Sequence, residues 1–105
     1  MKKLIAALAL SLTLPGIALA AGDAAAGKDK VTSLGCVACH GADGKSLAPI
    51  YPNLAGQQAM YIESSLKALR SQDRKGNQAV LMYPYASKLT DQDIADLAAY
   101  FSSLK

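Results

Sequence analysis

Both cysteines and the only histidine of this 105-residue chain stand inside one run of five residues, Cys36-Val37-Ala38-Cys39-His40. Whatever the chain folds into must give that cluster a use. A disulfide between the two cysteines closes so short a loop that it restrains little of the unfolded chain, so it cannot organise the rest. A thioredoxin-like pair requires a βαβ setting. A structural zinc ion needs four ligands, and a carboxylate such as Asp43 has to complete the set. C-x-x-C-H fits a fourth chemistry more closely. Two thiols about one helical turn apart form thioether bonds to the two vinyl groups on one edge of a porphyrin, while the adjoining imidazole reaches the iron.

Composition points the same way. Lys2 and Lys3 precede an apolar run over residues 4–14, followed by Pro15, Gly16 and Ala18-Leu19-Ala20. This is the pattern of a secretory signal peptide cut after Ala20, and its run is far short of the roughly 20 residues that span a bilayer. Residues 1–20 therefore read as a cleaved leader and residues 21–105 as one domain. The 85 residues left include 18 of Val, Ile, Leu, Met and Phe, with no Trp. So small a domain buries only about 60% of its unfolded surface and commonly leans on a metal, disulfide or cofactor. A covalently held haem c supplies the missing apolar bulk. Nine basic and eight acidic residues leave a net charge of +1 in this segment, too little for a nucleic-acid-binding face.

The apolar spacing predicts an all-α domain with three main helices. One runs over about 23–34, closed by Gly35, with Gly27 at its centre suggesting a close backbone approach; the segment 21–26 reads as a loose start. A second begins near Gln57, carries Tyr61, Ile62, Leu66 and Leu69 on one side and ends in the polar stretch 71–77. The third, over 91–103, opens on Thr90 and Asp93, a variant of the capping box. No segment alternates as a strand does. Two long loops remain, 41–56 and 71–88, of a length that usually serves function.

If iron is bound, His40 is the proximal ligand. No second histidine exists, and beyond Met1 the methionines are Met60 and Met82. Met60 has Ser64 and Lys67 beside it at helical spacing, which marks the polar side. Met82 lies in Val80-Leu81-Met82-Tyr83-Pro84, where the proline argues for an irregular chain folded over a flat cofactor. Met82 is therefore the expected distal ligand.

The stretch C-V-A-C-H-G at 36–41, Tyr51-Pro52-Asn53-Leu54-Ala55-Gly56-Gln57, and Met82 ahead of L-T-D-Q-D-I-A-D-L-A-A-Y-F resemble a short bacterial class I cytochrome c over essentially the whole segment 21–105. The resemblance implies that the Pro52 carbonyl accepts the Nδ1 proton of His40, a usual support for a metal-bound histidine. It also implies that Leu54 packs on the haem face and that Gly27 and Val31 cross Leu97 and Tyr100. Arg70, Arg74, Asn77 and Gln57 are candidate partners for the haem propionates. A His/Met-ligated iron has no open position, so the expected function is single-electron transfer in the periplasm rather than catalysis. The expected partners are a quinol-oxidising complex or dehydrogenase as donor and a terminal oxidase or reductase as acceptor, with no membrane insertion. A haem enzyme or gas sensor with an open iron, or a subunit docked in a dehydrogenase, is the alternative. Lys67, Arg70, Arg74 and Lys75 against Asp91, Asp93 and Asp96 suggest a weak dipole for orienting partners.

Overall fold

Five helices succeed one another in the computed structural model, which describes residues 21–105: α1 (Ala24–Ser33), α2 (Val37–His40), α3 (Ala59–Arg70), α4 (Ala79–Ala86) and α5 (Asp91–Ser103). The leader expected over 1–20 lies outside the described residues. No strand occurs among the described residues.

α5 organises the rest. Thr90 Oγ1 accepts from Asp93 N at 3.0 Å, and Asp93 Oδ2 accepts from Thr90 N at 2.9 Å. This reciprocal cap satisfies two backbone donors that a helix start leaves without partners. Ile94, Leu97, Ala98 and Phe101 then recur at helical spacing and are all buried. With Val31, Ile62, Leu89 and Tyr100 they make one core cluster, onto which α1 and α3 pack.

The α1–α5 crossing depends on a missing side chain. A Cβ placed on Gly27 would stand 2.0 Å from the Asp96 carbonyl oxygen and 2.8 Å from Tyr100 Cβ. Glycine costs about 1 kcal/mol relative to alanine inside a helix, and here the close approach of two backbones offsets it. Val31, 1% exposed, fills the crossing beside it.

The start of the domain is firmer than its composition suggests. Asp23 caps α1 by accepting from Ala25 N and Ala26 N, and its own N–H donates to Asp96 Oδ1 at 2.9 Å. The loose start expected over 21–26 is thus corrected: a long-range hydrogen bond to a buried carboxylate fixes it.

The expected dipole is corrected as well. Lys30 Nζ lies 2.6 Å from Asp96 Oδ2 and 2.9 Å from Asp93 Oδ1, and Arg70 pairs with Asp91 at 2.6 Å. Asp96 is buried. These acids hold elements together instead of forming a solvated pole.

The loop expected over 71–88 contains α4, and Met82 sits on that helix rather than in irregular chain. Pro84 lies inside it, and the only intrahelical bond its missing N–H removes is the one to the carbonyl of Val80, a 64% exposed residue. A proline so close to the end of a short helix deprives one solvent-side carbonyl of its partner, a far milder defect than a break in mid-helix.

Candidate functional site

α2 is a single turn, and it carries the cluster from which the sequence reading began. Its last residue, His40, is 6% exposed. Gly41 follows at φ 74°, a left-handed value, and a Cβ there would meet the Lys45 carbonyl oxygen at 2.2 Å. Glycine therefore lets the chain turn sharply away once the imidazole is placed.

The loop 41–56 has no helix of its own, yet it is held at many points. Gly44 O accepts from both Leu54 N, at 2.7 Å, and Ala55 N, at 3.1 Å, and Asn53 Oδ1 accepts from Ser46 N at 2.7 Å. Tyr100 Oη donates to Ala42 O at 2.7 Å, and Gly56 N donates to Phe101 O at 2.9 Å, which fastens both ends of the loop to α5. One result is the position of the Pro52 carbonyl, 2.9 Å from His40 Nδ1. A carbonyl oxygen only accepts, so Nδ1 carries the proton and Nε2 keeps its lone pair. A contact of this kind fixes the plane of the ring and makes Nε2 a better donor to a metal.

All six residues singled out from the sequence, Cys36, Cys39, His40, Pro52, Leu54 and Met82, line one cavity of about 510 Å³. That volume is within the usual range of about 300–1,000 Å³ for cofactor sites. The face of α3 formed by Tyr61, Ile62, Leu66 and Leu69 supplies another wall, and Tyr51, Leu81, Tyr85 and Phe101 contribute as well. The stripe that the spacing places on one side of α3 thus faces the cavity. Tyr85 and Ile50 were not foreseen as lining, because their orientation depends on how α4 and the loop 41–56 close. Among the suggested propionate partners, Arg74 and Asn77 line the cavity. Arg70 does not, being bound to Leu89 O at 3.0 Å and to Asp91. Gln57 does not line it either.

The chemistry of the lining fits a large apolar disc with one reactive edge. Burial pushes the Cys36 thiol up from its ordinary value, so before attachment it is held neutral in an apolar wall. Met60, at 82% exposed, stands outside the cavity. Among the described residues no three His, Cys, Asp or Glu side chains gather to hold a metal ion, so a zinc centre completed by Asp43 has no ligand set.

Comparison with known proteins agrees with this geometry. The cytochrome c family model matches residues 24–105, and the chain belongs to that family. Its site is a haem c attached through Cys36 and Cys39, and the protein is a haem-based electron-transfer protein. Cytochrome c-554(548) of Halomonas halodenitrificans is 65% identical over 83 residues, covering 79% of this chain and 98% of that protein. Cytochrome c4 of Pseudomonas aeruginosa is 48% identical, and the match takes in 100% of this chain but 50% of the c4 protein. The structure of Acidithiobacillus ferrooxidans cytochrome c4, described as supporting a complex-induced tuning of electron transfer, superposes with a TM-score of 0.69 at 33% identity over 84% of this chain and 53% of that one. The chain thus spans about half the length of the c4 relatives. No helix among the described residues is long and apolar enough to cross a membrane.

Proposed function

We propose that the protein carries single electrons in the periplasm on an iron held by His40 and Met82, exported by the leader over 1–20. Donors would be a quinol-oxidising complex or dehydrogenase, and acceptors a terminal oxidase or reductase. The observation that carries this reading is the shared cavity: an imidazole with Nδ1 bonded to Pro52 O at 2.9 Å and a half-buried methionine line the same apolar space. Thioether sulfur favours ferrous iron and raises the potential, and two protein ligands leave no position for oxygen or peroxide. The chain supplies no rival chemistry. His40 is the only histidine, so no Ser-His or Cys-His arrangement can be built alongside it.

Each residue then has a limited task. Cys36 and Cys39 tether one edge of the cofactor, Pro52 holds the proton on Nδ1, and Leu54, Leu66 and Leu69 exclude water. Exclusion of water keeps the two oxidation states close in geometry, which is what rapid transfer of one electron requires of the protein. The test is spectroscopic. The ferric protein is expected to show the weak near-infrared sulfur-to-iron band, and the reduced protein to resist carbon monoxide. Rapid carbon monoxide binding by the unsubstituted protein would overturn the reading in favour of an open-iron enzyme or sensor.

A further inference from the structure

Tyr85 stands on α4 three residues after Met82, a spacing that puts both side chains on one side of a helix, and both line the cavity. Its ring reaches the corner between α1 and α2. A Cβ placed on Gly35, which takes a left-handed φ of 86°, would stand 2.9 Å from Tyr85 Cε1 and 3.2 Å from Cδ1, so the ring lies directly against the Gly35 backbone. Cys36 follows at once. Elsewhere α4 packs on α3 through Leu69, Ala79 and Ala86, a small cluster distinct from the main core. Tyr85 thus gives α4 a second support, which joins the helix bearing Met82 to the segment bearing Cys36, Cys39 and His40. Tyr83 and Tyr100 donate hydrogen bonds through their hydroxyls, whereas among the described residues the Tyr85 hydroxyl makes none. The contact is one of ring packing.

We propose that Tyr85 is a positioning residue: its ring, wedged between α4 and Gly35, holds the Met82 sulfur within reach of the iron and keeps the far side of the iron closed. The inference rests on haem c occupying the cavity and on Met82 as its distal ligand. Methionine is unbranched and flexible, so the place of its sulfur depends on what braces the helix that carries it. α4 has eight residues, no side-chain cap at its start and a proline within it. A helix so short is marginal unless packing holds it. Without the ring, α4 keeps its cluster with α3 but loses its tie to the α1–α2 corner, and the conformer in which Met82 has left the iron becomes more populated. Gly35 serves the same contact from the other side, because a Cβ there would displace the ring.

The experiment is the rate of carbon monoxide binding to the intact reduced holoprotein, which reads that conformer because the gas binds only where Met82 has left the iron. The variants are Tyr85→Ala, Tyr85→Phe and, as control, Val80→Ala, at a position on the same helix that is 64% exposed and outside the cavity. Tyr85→Ala is expected to speed binding at least about tenfold, equal to about 1.4 kcal/mol lost from the closed arrangement. Its ferric form is expected to lose the sulfur-to-iron band at a temperature below that at which its helices unfold. Tyr85→Phe keeps the ring and is expected to stay within about twofold of the unsubstituted rate. Val80→Ala is expected to do the same, as a surface change within about 0.5 kcal/mol. Tyr85 belongs to neither core cluster; should the alanine variant nonetheless fail to fold, Tyr85→Leu, apolar but without a ring, is expected to bind the gas faster than Tyr85→Phe. Equal rates in Tyr85→Ala and the unsubstituted protein, or equal acceleration in Tyr85→Ala and either Tyr85→Phe or Val80→Ala, would overturn the assignment. Absence of the sulfur-to-iron band from the unsubstituted protein removes the Met82 reading and this inference with it, whereas a band present beside an unchanged Tyr85→Ala rate removes the role of Tyr85 alone.

Discussion

Replacing Asp96 with asparagine keeps the shape of the side chain and removes one negative charge from the α1–α5 crossing. The carboxylate takes a hydrogen bond from Lys30 Nζ at 2.6 Å, from Asp23 N at 2.9 Å and from Gln92 Nε2 at 2.9 Å. Lys30 first, then the Asp23 amide, lowers the Asp96 pKa from 3.8 to about 2. At roughly 1.4 kcal/mol per unit, that fall corresponds to about 2 kcal/mol of stability at neutral pH. A buried ion pair broken on one side commonly loses about 3–5 kcal/mol. Lys30 is 25% exposed and keeps Asp93 at 2.9 Å, which places the expected loss at the lower figure. Because the folded-state pKa is the lower one, this stabilisation is complete above about pH 4 and disappears as the pH falls through about 2. Guanidinium unfolding of the holoprotein, followed by circular dichroism, measures both quantities. Asp96→Asn is expected to lose about 2 kcal/mol at pH 7, equivalent to roughly 8–16 °C in Tm. Its stability should also fall less steeply than that of the unsubstituted protein between pH 4 and pH 2. A loss under about 0.5 kcal/mol, or parallel acid limbs, would refute the reasoning.

Three other substitutions probe separate links. In an open helix Gly27→Ala would stabilise by about 1 kcal/mol, but the 2.0 Å approach of the Asp96 carbonyl reverses the sign. A net loss of about 3 kcal/mol is expected from overpacking, measured by thermal unfolding. Met82→Ala is expected to abolish the sulfur-to-iron band, admit carbon monoxide and lower the potential, while Met60→Ala, at a position 82% exposed, changes none of these. Cys36→Ala or Cys39→Ala is expected to weaken attachment and folding together, because burial of the cofactor and formation of the core are one process. Intact mass and thermal unfolding read the two effects side by side.

Much of this was legible in the sequence because its signals are local. Thr90 and Asp93 gave the start of α5, and apolar spacing carried it to its observed end at Ser103. Cys36, Cys39 and His40 are neighbours in the chain and need no tertiary argument to be brought together. α4 escaped because its run is apolar on every side and so has no period, and because Pro84 was weighed as though it stood in mid-helix. The hydrogen bond from Asp23 to Asp96 spans 73 residues, and no local pattern announces it. The same holds for Lys75: the resemblance offered its neighbour Arg74 as a candidate, but only closure of α4 onto α3, with Tyr83 bonded to Arg74 O, brings this charged turn to the cavity.

The loop that supplies the Pro52 carbonyl is fastened at both ends to residues near the terminus of α5, through Tyr100 Oη and the Phe101 carbonyl. A chain emerging from its amino end therefore exposes both thiols well before it possesses the struts that orient the imidazole. The two halves of the site are thus written far apart in the chain, the thiols towards its amino end and the struts behind the imidazole towards its carboxyl end.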